Sequence, residues 1–182
     1  MATNTLPWHQ RPTTTAQVHE GHRPAAGFAL AGLRLAMAGI FLWAFFDKLL
    51  GLGFSTPAAR AWLAGGSPTR GFLSGAEGPF AGFYQGIAGL PLTDALFMAA
   101  LLLIGAALLL GIGLRLAAVS GALLMLMMWT AALPPTTNPV LDDHIVYAIV
   151  LVVLPLAGAG RRLGLAERWR ALPLVQRYPG LE

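Results

Sequence analysis

Asp142, Asp143 and His144 stand in succession immediately before the uncharged run "IVYAIVLVVLPLAGAG". Two carboxylates and an imidazole can accept, hold and release protons, and a helix N-terminus open to water stabilises the carboxylates. On a helix, His144 and Tyr147 share a face at i, i+3, and Asp143 stands at i, i+4 from Tyr147. A carboxylate, an imidazole and a phenol so arranged can pass protons to a hydrogen-bonded acceptor such as a carbonyl oxygen. Catalytic work is therefore expected of His144, Asp143 and Tyr147, with Asp142 beside them on the substrate side.

A second group lies in "LRLAMAGIFLWAFFDKLLG". Arg34 is near one end of this apolar stretch and Asp47 and Lys48 are near the other. Phe41 and Phe45 lie on the stripe between Arg34 and Lys48, and Asp47 points away from it by about 100°. Charges inside a membrane span are expensive and normally pair, face a bundle interior or snorkel to the interface. Arg34 is thus either a substrate contact or a snorkelling anchor. Lys48 supplies positive charge for a small anion, and Asp47, Asp142, Asp143 and His144 belong to the same polar rim. Trp43, Trp62 and Trp129 are the aromatic walls expected to hold a planar ring near these charges.

The elements that position these residues follow from composition. With 56% hydrophobic and 11% charged residues and a mean hydropathy of +0.65, the chain is too apolar to be a soluble domain. Runs of about twenty apolar residues cross roughly 30 Å of hydrocarbon as helices. Four such runs are expected, over about 28–50, 93–112, 116–133 and 144–160. Continuous Leu, Ala and Val runs lack the alternation of a membrane barrel. The expected fold is an all-α integral membrane protein, a four-helix bundle with a long outer loop, 51–92, that contains short helices and carries Trp62, Phe72, Phe80, Phe83 and Tyr84.

Arginines set the orientation. Arg161, Arg162, Arg168, Arg170 and Arg177 follow the fourth run, Arg11 and Arg23 precede the first, and Arg115 lies in the turn after the second. The positive-inside rule puts all three places on the cytoplasmic side of a bacterial plasma membrane, with both termini cytoplasmic, whereas "PPTTNPVLDD" has no basic residue and belongs outside. The polar segment ahead of the first run, with no small-residue cleavage site after it, argues for a retained anchor over a cleaved signal. Residues 1–26 read as a mobile arm in which His19 and His22 are solvated. The basic tail, 161–182, suits a short helix on the inner leaflet that anchors topology. The bilayer is the partner these features require, and nucleic acid is not one.

Several cofactors are excluded from this chain. The absence of cysteine removes disulfides, thiolate metal sites and iron–sulfur ligation. His144 is the only histidine expected inside the membrane, so a bis-histidine haem has no second ligand. No glycine-rich nucleotide loop follows a strand, so no flavin site is expected, and no metal site is expected either.

The blocks "LRLAMAGIFLWAFFDKLLG", "GGSPTRGFL", "GPFAGFYQGIAG", "LLLGIGLRLAA" and "NPVLDDHIVYAIVL", in that order over about 27–165, resemble the DoxX/DoxD membrane proteins. The nearest resemblance is to actinobacterial-type thiosulfate dehydrogenase (quinone) subunits. It implies a four-span subunit that passes electrons from thiosulfate to membrane quinone and yields tetrathionate. Lys48 or Arg60 would then hold thiosulfate, and His144, Asp143 and Tyr147 would hydrogen-bond the quinone and deliver protons. The donor reacts directly, or a second oxidoreductase subunit or soluble partner on the cytoplasmic face holds an electron carrier. Gly32, Gly39, Gly105 and Gly121 permit close helix approach, within one bundle or in a homo-oligomer. Two other functions stay open: a non-catalytic anchor or assembly subunit of a respiratory or redox-detoxification complex, and a small transporter. The transporter ranks last, because no internal repeat is visible and Pro155 is the only proline well inside a run.

Overall fold

The computed structural model describes residues 24–135, 138 and 140–181, and the expected arm as far as residue 23, with His19 and His22, lies outside them. Helix α1 runs from Pro24 to Leu50, starting on a proline whose missing N–H is no loss in a first turn. Two 3-10 turns follow at Ala58–Arg60 and Trp62–Ala64, then the short helices α2, Arg70–Ser74, and α3, Ala81–Ile87. Helix α4, Pro91–Leu110, again begins with proline and stops at Gly111, whose φ of 69° is left-handed. A tight turn leads into α5, Leu114–Ala131. Helix α6 spans Asp143–Leu156, and the tail forms α7, Ala166–Arg170, α8, Pro173–Arg177, and a last 3-10 turn at Pro179–Leu181. The described residues are helical and contain no strand.

Helices α1, α4 and α5 are each long and apolar enough to cross a membrane. Their outward surfaces agree: Leu103 is 67% exposed and Val119 72%, the apolar exterior expected of helices that face hydrocarbon. The fourth expected span is shorter than the sequence suggested. Helix α6 has 14 residues, about 21 Å at 1.5 Å per residue, and does not continue to residue 160. Three residues beyond Pro155 the chain turns at Gly158, whose φ is 68°, a conformation that ends a helix.

The helices pair α1 with α4 and α5 with α6, while α4 and α5 touch less although they are joined by a short turn. The core between them contains Met37, Phe41, Met98, Leu101, Ile104, Leu108, Leu151 and Leu154. Glycine sets the closest approach: a Cβ on Gly105 would lie 2.7 Å from Leu42 Cγ of α1. Gly121 plays the same part against Leu151, whereas Gly32 and Gly39 face open surface. The close-packing role expected of four glycines thus falls to two of them within the bundle.

The tail does not form the single surface helix expected of it. The Leu165 N–H donates to the Leu110 carbonyl at 2.8 Å, the Trp169 indole to the Leu181 carbonyl at 2.7 Å, and Arg115 to the Pro179 carbonyl at 3.0 Å. Burial of Val175 completes a folded cap under the α4–α5 turn. This is the arginine end of the bundle; Lys48 lies at the other.

Candidate functional site

Arg34 is fully buried and its hydrogen bonds define its task. One guanidinium nitrogen donates to the carbonyls of Leu108 and Leu109, the latter at 2.9 Å, and the other to Leu163 at 2.7 Å and Arg162 at 3.4 Å. Only its Nε lacks a partner among the described residues. The last four carbonyls of a helix have no partner within it. In α4, Ala107 accepts from Gly111 and Ile112, Arg34 serves Leu108 and Leu109, and Leu165 serves Leu110. A cation at a helix C-terminus also meets the favourable end of the helix dipole. Arg34 therefore neither snorkels nor reaches the rim near Lys48, from which it is separated by about 21 Å of helix. It is a cap supplied by a neighbouring helix.

Asp47 is likewise buried, 1% exposed. It accepts from the Phe54 N–H at 3.2 Å, the Ser55 N–H at 3.0 Å and the Ser55 hydroxyl at 2.6 Å. Those bonds fold the chain back as it leaves α1. Lys48, the next residue, is half-buried and donates weakly to the same hydroxyl at 3.4 Å. A string of polar groups thus runs from the Lys48 ammonium through exposed Ser55 to Asp47.

Lys48 lines a cleft of about 450 Å³ between α4 and α5, roofed by α2 and α3. The walls are Phe97 and Ala100 of α4, Leu124 and Met128 of α5, and Phe72 and Tyr84 of the roof. The splay of α4 from α5 creates this space, and its sides carry exposed Leu96 and Leu123, so it opens on the lipid-facing surface. Its size and apolar lining, broken by one ammonium and the hydroxyls of Thr69, Thr93, Ser120 and Tyr84, suit an amphipathic ligand with a small polar head.

The roof is held by polar pins. Asp94, 6% exposed in the first turn of α4, accepts from Ser67 Oγ at 2.9 Å, Thr69 N–H at 3.1 Å and Thr69 Oγ1 at 2.5 Å. Tyr84 of α3 donates to the Met127 carbonyl at 3.0 Å and also bonds Thr130. Asp94, Thr69 and Phe97 are not among the residues that the sequence singles out, whereas Phe72 and Tyr84 are aromatics expected of the outer loop. The visible signal was an acid four residues into a helix that begins "PLTD", preceded by the hydroxyl-rich "GSPT".

The expected proton trio does not close. His144 Nδ1 is 2.8 Å from Asp142 Oδ2 and 3.6 Å from Asp143 Oδ1. Asp142 is at once the N-cap of α6, accepting from the Ile145 N–H at 3.3 Å, and the partner of His144. The Asp143 side chain is 68% exposed. Tyr147 packs against the core and makes no hydrogen bond among the described residues. Ligand atoms of Asp142, Asp143 and His144 lie within 4.8 Å of one another, although no metal site was expected. None of the three lines the cleft.

The tryptophans are also elsewhere. Trp43 is 49% exposed and meets Phe54 edge to face at 5.0 Å. Trp62 packs on the core, and Trp129 donates to the Val140 carbonyl at 2.9 Å, bracing the segment before α6. None lines the cleft, whose aromatic walls are Phe72, Tyr84 and Phe97. Arg60 is exposed on its 3-10 turn. Of the residues expected to bind a substrate or planar ring, the structure brings only Lys48 to the cavity. Comparison with protein-family models, with curated proteins and with solved structures finds no match to this chain.

Proposed function

We propose that the chain is a four-span, multi-pass subunit of a quinone-linked oxidoreductase in the bacterial plasma membrane, with the Lys48 end outside, and that the α4–α5 cleft receives the quinone. The observation that carries this reading is the cleft itself. It is apolar, open on the lipid-facing side, and has an ammonium on its wall. A hydrocarbon-soluble quinone reaches it from the bilayer without crossing water. Lys48 donates a hydrogen bond to one carbonyl oxygen, and Ser55 and Asp47 connect that ammonium to exposed surface for proton delivery.

Thiosulfate is the electron donor this reading takes from the resemblance to DoxX/DoxD proteins. Two thiosulfate dianions lose one electron each and join through a new S–S bond as tetrathionate. The quinone gains those two electrons with two protons and leaves as quinol. Electrons arrive directly or through a partner subunit, and the role of this chain is to bind, orient and protonate. His144 and Asp142 then stand at the edge of the bundle, outside the quinone's contacts.

The test is thiosulfate-dependent quinone reduction by purified protein in lipid, together with photo-crosslinking by an azido-quinone. Labelling of α4 or α5 that an excess of unlabelled quinone removes supports the cleft as the binding site. Labelling confined to α6, or to α1 away from Lys48, overturns it. A second reading has its own support: Arg34, Asp47 and Asp94, the three buried charges among the described residues, are all engaged in bonds that hold the fold. An anchor or assembly subunit needs no more. Quinone labelling without turnover, and a soluble oxidoreductase co-purifying from native membranes, favour that reading.

A further inference from the structure

The arginine end holds a second cavity, of about 350 Å³, between the α4–α5 turn, the end of α6 and α7. Its chemistry is opposite to that of the cleft. Arg115, Arg161 and Arg170 line it, and Trp169 forms one wall. The indole of Trp169 is fixed by its bond to the Leu181 carbonyl, and Arg115 donates to Pro179. The guanidinium groups of Arg161 and Arg170, by contrast, have no hydrogen-bond or ion-pair partner among the described residues. The nearest acid in sequence, Glu167 in the first turn of α7, does not line the cavity.

Like charges gathered around one hollow repel each other, and an anion between them reverses the sign of that interaction. Guanidinium forks match the oxygens of a phosphate group in pairs. Leu156 stands on the cavity's edge, 81% exposed and on the apolar side of α6. A polar hollow at the end of membrane-spanning helices, with an apolar flank leading away from it, has the layout of a phospholipid headgroup and its acyl chain. Basic pockets between helices on the cytoplasmic side are suited to anionic headgroups.

We infer that this cavity binds a phosphate ester anion, carried by an anionic phospholipid or free in solution. The inference needs only the membrane character of the chain and does not depend on the quinone reading. Arg161 and Arg170 grip the phosphate oxygens, and the headgroup ties the end of α6 to α7.

The experiment uses the full chain in phosphatidylcholine nanodiscs, titrated with dihexanoyl-phosphatidylglycerol and followed by native mass spectrometry. The double variant Arg161→Gln/Arg170→Gln is compared with Arg168→Gln/Arg177→Gln, which loses the same charge outside the cavity. None of these four arginines is buried, so both variants should fold, and melting temperatures check this. One retained phosphatidylglycerol is expected, with affinity at least about tenfold weaker in the first variant and within about twofold of wild type in the second. Displacement by millimolar inorganic phosphate assigns the site to the phosphate group alone, and retention in its presence assigns it to the lipid. Equal weakening in both variants, or no retention of lipid or phosphate by the wild type, overturns the proposal.

Discussion

The two ends of the α4–α5 pair solve opposite problems with the same helices. At the arginine end the helices meet in the Gly111–Gly113 turn, and every terminal carbonyl of α4 is satisfied, two of them by a charge from α1. At the Lys48 end they part, and the gap is roofed by α2 and α3 and lined by apolar side chains. In both places a charge of α1 sits beside α4. Arg34 is sealed and its two terminal nitrogens are spent on backbone, whereas Lys48 has one weak bond and an open cavity in front of it. A buried charge in a membrane bundle is therefore a functional candidate only after its hydrogen bonds have been counted.

The largest effect should come from breaking the closed end. Arg34→Met leaves the Leu108, Leu109 and Leu163 carbonyls without donors, which should destabilise the fold by roughly 3 kcal/mol or more. Loss of monodisperse protein on detergent extraction, or a large fall in melting temperature, is the readout. Arg34→Lys should recover only part of the loss, because an ammonium cannot span two pairs of carbonyls as a planar fork does. If Arg34→Met were as stable as wild type, the contrast between the two ends would collapse.

At the open end the expectation is reversed, with function lost and stability kept. Lys48→Met should change stability by no more than about 0.5 kcal/mol and lower quinone reduction by about 10²-fold. His144→Ala should lower it far less, since the imidazole is outside the cleft. The opposite ranking would return the site to the start of α6. Ala100→Phe fills the cleft and should abolish azido-quinone labelling while the protein stays folded.

The roof and the α6 cap give smaller effects. Asp94→Ala removes the acceptor for Ser67 and Thr69 and should loosen α2 and α3 at a cost of about 1–3 kcal/mol, seen as faster proteolysis between Gly66 and Gly89. Asp94→Asn should retain part of the protection. Asp142→Ala removes an N-cap and should cost about 1 kcal/mol, a modest drop in melting temperature with quinone labelling unchanged.

Much of the architecture was legible because it depends on local properties. Apolar runs as long as α1, α4 and α5 can satisfy their backbone only as helices, and Pro91 and Gly111 mark the ends of α4 through fixed or left-handed φ. Asp142 could be read as a helix N-cap for the same reason. The candidate site was less legible, since helical spacing tells which residues share a face and not which neighbour that face meets. His144 and Tyr147 share a face as expected, yet the imidazole turns to Asp142, the carboxylate nearest its Nδ1, while Tyr147 faces the core.

The sequence by itself determined that this chain is helical, too apolar for water, charged mainly at the borders of its apolar runs, and without thiol chemistry. Only the tertiary structure decided which charges are occupied. Arg34 became a cap because the end of α4 and the Leu163 carbonyl fall within reach of its guanidinium. Lys48 became a cavity residue because α4 and α5 diverge beside it. Both outcomes depend on contacts between helices distant in sequence, where the direction of packing fixes a side chain's partners and periodicity alone does not.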